Sequence, residues 1–400
     1  MIQVPQLGGF AILVSFCNFQ GKGPVPVGSL QGISPYGAYD MYGNVREWCW
    51  NETPVGRAIR GGSWRANTYA AGGVRHAPPM DRSDWNGFRL VLYPDLETVP
   101  EEAFHFFKSL GETRNYYEEK PVPDSIFQVY KEQFSYDRTD LDARVESREE
   151  NPKGWIHETV SFDAAYGGER VLAHLFLPQN TPPPYQTVIY FPGSASTWIR
   201  SSQNIENFYE FTMFLSFIVK NGRAALYPVY KGTFERGSPE LRAIHFGKNT
   251  HQYTEFLIQV VKDFKKCIDY LETREDINSS QIAYQGMSWG GVLGAVIPAV
   301  EERLKASILL PGGLRDRGVR PEVHPFNYVS RVKTPTLMLN GRYDSLLPYE
   351  TCIKPMYDLL GTPDEHKDLK LYETDHIPPR VEYIKEVLAW LDKYLGPVSR

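Results

Sequence analysis

Between residues 158 and 372 one pattern recurs. Short apolar runs (ETVSFD, RVLAHLFL, TVIYF, AALYP, QIAYQ, ASILL, TLMLN and LKLY) are separated by segments of helical or turn character. Most of the runs are too continuously apolar for a sheet with one wet face, so they predict strands covered on both sides. Buried strands that alternate with helices imply an α/β architecture, a mostly parallel sheet with helices on its two faces. Here it is expected to open with an antiparallel hairpin. Between the runs, YTEFLIQVVKDFKKCIDYL places Phe256, Val260, Phe264, Cys267 and Leu271 on one helical stripe. The last helix is expected to bury Val381, Ile384, Leu388, Leu391 and Leu395 and to stop at Gly396 and Pro397.

At 400 residues the chain exceeds the size at which one core stops growing, so two domains are expected. Residues 20–93 are rich in Gly, Trp, Tyr and Asn with little periodicity, which predicts loops, short strands and little helix. From 95 to 155, EEAFHFFKSL and PDSIFQVYKEQF are punctuated by Pro94, Pro100, Pro121 and Pro123 and read as a helical connector. The chain thus divides at 1–94, 95–155 and 156–400. The net charge of −5 comes without a basic block, which argues against nucleic acid or an anionic membrane as partner. Cys17, Cys49, Cys267 and Cys352 match neither zinc spacing nor a redox pair and read as ordinary thiols. The apolar stretch Gly9–Phe16 is too short to span a bilayer, and no Lys or Arg precedes it; a soluble, cytoplasmic protein is expected. Spacing carries no signal of oligomeric state.

Chemistry enters where QIAYQ runs into Gly286, Met287, Ser288, Trp289 and Gly290, followed by the small-residue helix GVLGAVI. A serine on so sharp a strand-to-helix turn needs glycine at both flanks, because side chains there would collide with the neighbouring strand and helix. The same turn sets the Trp289 N–H at a helix start, where it can stabilise a developing oxyanion. A serine hydroxyl needs a histidine base and an orienting carboxylate, in chain order Ser, Asp, His. Asp344 follows TLMLN in the loop GRYDSLLP, and His376 follows LKLY in ETDHIPPR, just before the last helix. Asp375 competes as the orienting acid but ranks below Asp344, because adjacent residues in an extended loop point apart. His324 and His366 follow no predicted strand and are expected at the surface. The second oxyanion donor is expected from the loop Pro192–Ser196 after TVIYF, with the Ser194 N–H as candidate. Trp198, Tyr230 and Phe246 are candidates for an apolar acyl or aryl pocket, with core membership the competing reading. The stretch between ASILL and TLMLN is too short for a large helical lid, which points to small, accessible esters.

At these residues the sequence resembles α/β-hydrolases of the dienelactone hydrolase and acetyl esterase group over roughly 155–398. The segments PPYQTVIYFPGSAS, DYLETREDINSSQIAYQGMSWGG, LMLNGRYDSLLP and LDKYLGPV are similar to hydrolase domains at the carboxy end of bacterial serine/threonine kinase-like polypeptides. The resemblance implies ester hydrolysis without a catalytic cofactor, a Ser288–Asp344–His376 triad, and an oxyanion hole from the backbone of Ser194 and Trp289. Dienelactone hydrolases proper carry a cysteine nucleophile; the serine here favours the esterase branch.

The amino-terminal part, through SPYGAYDMYGNVREWCW, AIRGGSW and GFRLVL, resembles the closing half of the formylglycine-generating enzyme (sulfatase-modifying factor) family. In that family the GNVxEW loop holds calcium. This carries over to the side chains of Asp40 and Glu47 and the carbonyls of Gly43 and Val45, hard oxygen donors that suit the ion. The competing reading makes Asp40 and Glu47 caps of a turn. The family's copper-binding cysteine pair is replaced by Ala71 and His76, so formylglycine-generating activity is not expected. The first half of such a domain has no counterpart, as if the chain began inside a longer ancestral polypeptide. The leading expectation is a carboxylesterase acting on small-molecule esters. The alternative makes the amino-terminal module a peptide- or protein-binding regulator with the hydrolase as effector; truncation near residue 95 would separate a module that recruits from one that shapes the site.

Overall fold

The computed structural model describes residues 16–398, apart from 20, 35–36, 54–55, 67–73, 105–113, 248 and 316–317. Of the apolar stretch Gly9–Phe16, only Phe16 lies within the described residues. The chain forms two compact units. The first comprises Met1–Glu112 with two short loops from much later in the chain, Gly341–Pro348 and Glu373–His376. The second comprises Thr113–Asn340, Tyr349–Tyr372 and Ile377–Arg400.

In the first unit, β1 (Arg46–Thr53), β2 (Gly56–Arg60), β3 (Arg75–Ala77) and β4 (Asn86–Gly87) form a sheet in the order β3-β2-β1-β4. Pairing is antiparallel for β1–β2 and β2–β3 and parallel for β1–β4. Ala58, Ile59 and Ala77 are its buried apolar residues, with Trp64 and Leu347 buried elsewhere in the unit. Among the described residues of 16–93 there is no α-helix, as the aperiodic, glycine-rich sequence predicts. The two later loops lock together: the Tyr343 N–H donates to the Thr374 carbonyl at 3.0 Å. A Cβ at Gly341 would lie 1.8 Å from the carbonyl oxygen of Asp375, so only glycine permits that approach.

The second unit holds a nine-stranded sheet: β5 (Arg144–Asn151), β6 (Trp155–Asp163), β7 (Arg170–Pro178), β8 (Tyr185–Phe191), β9 (Ala224–Val229), β10 (Ile277–Met287), β11 (Leu304–Leu310), β12 (Thr336–Gly341) and β13 (Lys367–Tyr372). Their order is β13-β12-β11-β10-β8-β9-β7-β6-β5. Pairing is parallel for β9–β8, β8–β10, β10–β11 and β11–β12. It is antiparallel for β9–β7, β7–β6 and β6–β5, so the antiparallel opening is larger than one hairpin. This is the α/β-hydrolase fold, and each of the apolar runs lies within a strand. The helix His251–Glu272 starts on a Thr250 cap whose side chain accepts the Tyr253 N–H, and it buries the predicted stripe.

Two elements differ from the sequence reading. Residues 124–151 are built into the hydrolase unit: Phe127, on the helix Asp124–Glu132, packs edge-on against Tyr328 at 5.5 Å, and β5 is the sheet's edge strand. β5 reads RVESREEN and is exposed along nearly its whole length. It carries no apolar signal, and its charges guard the edge against pairing with another chain. The last helix, Arg380–Leu395, buries Tyr383, Val387, Trp390, Leu391 and Leu395, while Val381 is 78% exposed. Its buried face is turned toward the two aromatic rings, which remove far more apolar area from water than a valine does.

Candidate active site

Within the second unit, β10 ends at Met287 and the helix Trp289–Leu293 begins at once, with Ser288 between them at φ +53° and ψ −97°. A non-glycine residue there costs on the order of 1–3 kcal/mol, so the surroundings must impose it. They do: the Ser288 N–H donates to the Leu310 carbonyl at 3.0 Å, and the Val292 N–H donates to the Ser288 carbonyl at 2.9 Å. A Cβ at Gly286 would fall 2.4 Å from the carbonyl of Gly290, and one at Gly290 would fall 2.4 Å from the Phe191 oxygen. Both contacts are with backbone, which cannot swing aside. The elbow is therefore sterically reserved for glycine on either side of the serine.

Because β8 runs parallel to β10 with Phe191 opposite Gly286, the loop after β8 emerges beside the elbow. A Cβ at Gly193 would stand 3.5 Å from the Ser288 Cβ, and the Gly290 N–H donates to the Pro192 carbonyl at 3.2 Å. Ser194 opens the short helical turn Ser194–Trp198, and Trp289 opens its own helix, where an N–H has no carbonyl one turn back. Two residues without a sequence signal support this loop. Glu210 is fully buried and accepts hydrogen bonds from the Gly193 N–H at 3.3 Å and from the hydroxyls of Tyr190, Tyr209 and Tyr227 at 3.0, 3.0 and 3.3 Å. Burial pushes its pKa up to about 7, against the pull of those hydrogen bonds. His245, also buried, places Nε2 3.0 Å from Ser194 Oγ and sets its ring edge-on to Trp289 at 4.4 Å. In the sequence Glu210 reads as one more helical glutamate, and His245 precedes the serine, where no base is sought.

Of the candidate pocket residues, Trp198 and Phe246 approach each other with ring centroids 6.0 Å apart, and the Arg242 guanidinium lies 4.5 Å from the Trp198 ring. Tyr230 is a core residue instead. It has no exposed surface, its hydroxyl donates to the Tyr190 carbonyl at 3.0 Å, and its ring stacks on Phe191 at 4.2 Å.

Within the first unit, Asp344 and His376 come together. Asp344 is fully buried; Oδ1 accepts the N–H groups of Leu346 at 2.8 Å and Leu347 at 3.0 Å, and Oδ2 lies 2.7 Å from His376 Nδ1. A carboxylate so held accepts a hydrogen bond from the Nδ1–H of a neutral imidazole, which leaves Nε2 as the basic nitrogen. Asp375 is turned to other partners. Its Oδ1 accepts the His376 N–H at 2.8 Å, and its Oδ2 accepts from Arg46 Nη1 at 3.2 Å. His324 departs from the surface position expected of it. In the second unit it is 3% exposed, with Nε2 2.8 Å from Arg114 Nη1 and Nδ1 accepting the Phe326 N–H. His366 is exposed.

The residues carried over as calcium ligands do not fit a divalent ion as they stand. Glu47 is engaged by Arg89, whose Nε lies 3.1 Å from both carboxylate oxygens and whose Nη2 lies 2.7 Å from one, so a guanidinium already supplies the positive charge. Asp40 Oδ2 accepts the Gly28 N–H at 2.7 Å, which leaves Oδ1 as one buried oxygen without a partner. Among the described residues, no three His, Cys, Asp or Glu side chains gather to hold a metal. Ala71 lies outside the described residues; His76 is on β3. Among the described residues no helix is long and apolar enough to cross a membrane.

Comparison with known proteins gives two family matches. Residues 16–93 match the sulfatase-modifying factor enzyme 1-like domain, and residues 207–376 match the dienelactone hydrolase family. Among solved structures, an acetyl xylan esterase from Paenibacillus sp. R4 is similar at 19% identity, over 68% of this chain and 94% of that one, with a TM-score of 0.50. Acetyl xylan esterase 1 from Thermoanaerobacterium sp. JW/SL YS485 is similar at 16% identity, over 68% of this chain and 95% of that one, with a TM-score of 0.53. At such identities the likeness is one of fold. No curated protein matches the chain.

Proposed function

We propose that this serine ester hydrolase, an α/β-hydrolase joined in one chain to a sulfatase-modifying-factor-like domain, cleaves small acyl esters through an acyl-enzyme. Ser288 is the nucleophile and His376 its base. Asp344 holds the imidazole in the tautomer with a basic Nε2 and stabilises the imidazolium that forms. Attack of Ser288 Oγ on the ester carbonyl gives a tetrahedral oxyanion, received by the N–H groups of Ser194 and Trp289. His376 then hands its proton to the departing alcohol, and water repeats the sequence to release the acid. The observation that carries this reading is the strained serine at φ +53° between strand and helix, a conformation held by backbone contacts on both sides. The Asp344–His376 hydrogen bond at 2.7 Å supports the assignment of acid and base. Fold likeness to two proteins named acetyl xylan esterases makes acetyl esters the first class to assay.

The test is hydrolysis of an acyl series from acetyl to long-chain by the intact protein and by Ser288→Ala. The expected result is turnover concentrated on the short chains and lowered by about four orders of magnitude or more in the folded variant. Undiminished turnover by Ser288→Ala would leave the serine a turn residue and dissolve the triad.

A further inference from the structure

The acid–base loops are fastened by residues more than 250 positions earlier in the chain. Asp375, next to His376, meets Arg46 of β1: Nη1 donates to Oδ2 at 3.2 Å, with the arginine side chain 11% exposed. Arg46 is itself fixed, since its Nε donates to Asn86 Oδ1 at 2.9 Å and its Nη2 lies 4.0 Å from Asp81. Arg75 of β3 brings Nη1 to 3.9 Å from the other oxygen of Asp375 and to 3.4 Å from Ser345 Oγ. Ser345 follows Asp344 directly, and its N–H points back to Asp375 Oδ1 at 3.5 Å. Each arginine thus grips a residue adjacent to one member of the Asp344–His376 pair, and Asp375 ties the two loops to each other and to the amino-terminal sheet.

We propose that Arg46 and Arg75 are positioning residues for the ester hydrolase: through Asp375 and Ser345 they hold the Asp344–His376 pair and neutralise the second carboxylate beside it. This rests on the proposed triad and gives the amino-terminal module a part in the reaction. The charged and titratable groups around the pair are Asp344, Asp375, Arg46, Arg75, His76 and, behind Arg46, Asp81. His76 is held below the usual imidazole range by burial, so it adds no charge near neutrality. Without the arginines, Asp375 becomes an uncompensated anion beside the imidazole, which favours its protonated, non-basic form. A shared network also loses its register, and small displacements of a base are costly.

The test is kcat, KM and the pH dependence of kcat/KM for Arg46→Ala and Arg75→Ala, with Arg75→Lys and each alanine variant combined with Asp375→Asn, all in the full chain. A second readout, independent of turnover, is the low-field imidazole N–H proton of His376 in 15N-histidine-labelled protein, assigned with His376→Gln. The expected result is a fall in kcat of about ten- to a hundredfold with KM little changed, and an acid limb moved to higher pH. The limb should return toward its original position on adding Asp375→Asn and stay in place in Arg75→Lys, and the low-field proton should weaken in the alanine variants. Arg75 touches neither Asn86 nor Asp81 in these contacts, so Arg75→Ala carries the test if Arg46→Ala does not fold. Unchanged kcat, pH limb and His376 proton in the folded variants would overturn the inference. So would a loss that Asp375→Asn leaves unrelieved. Should Ser288→Ala keep its turnover, the triad reading fails on its own, and the His376 proton still judges the clamp.

Discussion

The nucleophile region and the acid–base region differ in how much of their position rests on side chains. Around Ser288, position is set by backbone: β8, β10 and β11 lie side by side, and glycines at 286 and 290 admit approaches that no Cβ would survive. Around His376, side chains add to the backbone contact between the two loops: one carboxylate accepts two loop N–H groups and a hydrogen bond from the imidazole, and arginines from another part of the chain secure the neighbouring residues. Backbone packing yields a stiff element, whose disturbance is felt as lost stability. A charge network yields an adjustable one, whose loss weakens function while the fold persists.

That contrast can be broken most directly at Asp344. Asp344→Asn keeps the size of the side chain and should lower kcat about three to four orders of magnitude with KM nearly unchanged, through the wrong imidazole tautomer. Steady-state kinetics on an acetyl ester check this, with circular dichroism expected to match the parent. A loss of fold instead would make the acid–base region as brittle as the elbow. The converse probe is Gly290→Ala, whose methyl would meet the Phe191 carbonyl at 2.4 Å. It should cost about 1–3 kcal/mol of stability by urea unfolding, with loss of activity in step. An alanine variant as stable as the parent would show the elbow to be compliant. The smallest effect is expected at Glu210, whose carboxyl is raised to about 7 by burial. The folded form then binds a proton that the unfolded chain releases from about pH 4.5 upward, so this site's contribution to stability falls as pH rises through about 5 to 7. Glu210→Gln, which cannot ionise, should flatten the dependence of Tm over that interval. An unchanged slope would remove Glu210 as its source.

How much was legible in the sequence follows the same division. The strands from β7 to β12 announced themselves because burial on both faces demands continuous apolar runs, and the elbow because its glycines are sterically required. The edge strand β5 was read as connector because exposed residues owe nothing to the core. The last helix was recognised, and of its predicted stripe Leu391 and Leu395 are buried while Ile384 and Leu388 pack partly buried against the core; only Val381 is turned out, since periodicity does not reveal that Tyr383 and Trp390 take its place. Asp344 and His376 could be chosen by their positions after strands. Arg46, Arg75, Glu210 and His245 could not, since their importance lies in partners that only the folded chain brings near. His324 misled for the same reason, its burial depending on Arg114 and Phe326 rather than on any local pattern.

The central claim, that Ser288 is a nucleophile activated by the Asp344–His376 pair, is tested most directly by covalent capture. The intact protein is treated with a fluorophosphonate and the modified peptide is located by mass spectrometry. The account predicts a single stoichiometric adduct on Ser288, formed at least about a thousandfold more slowly in His376→Ala. An adduct on another residue, or labelling of Ser288 at an undiminished rate without His376, would contradict it.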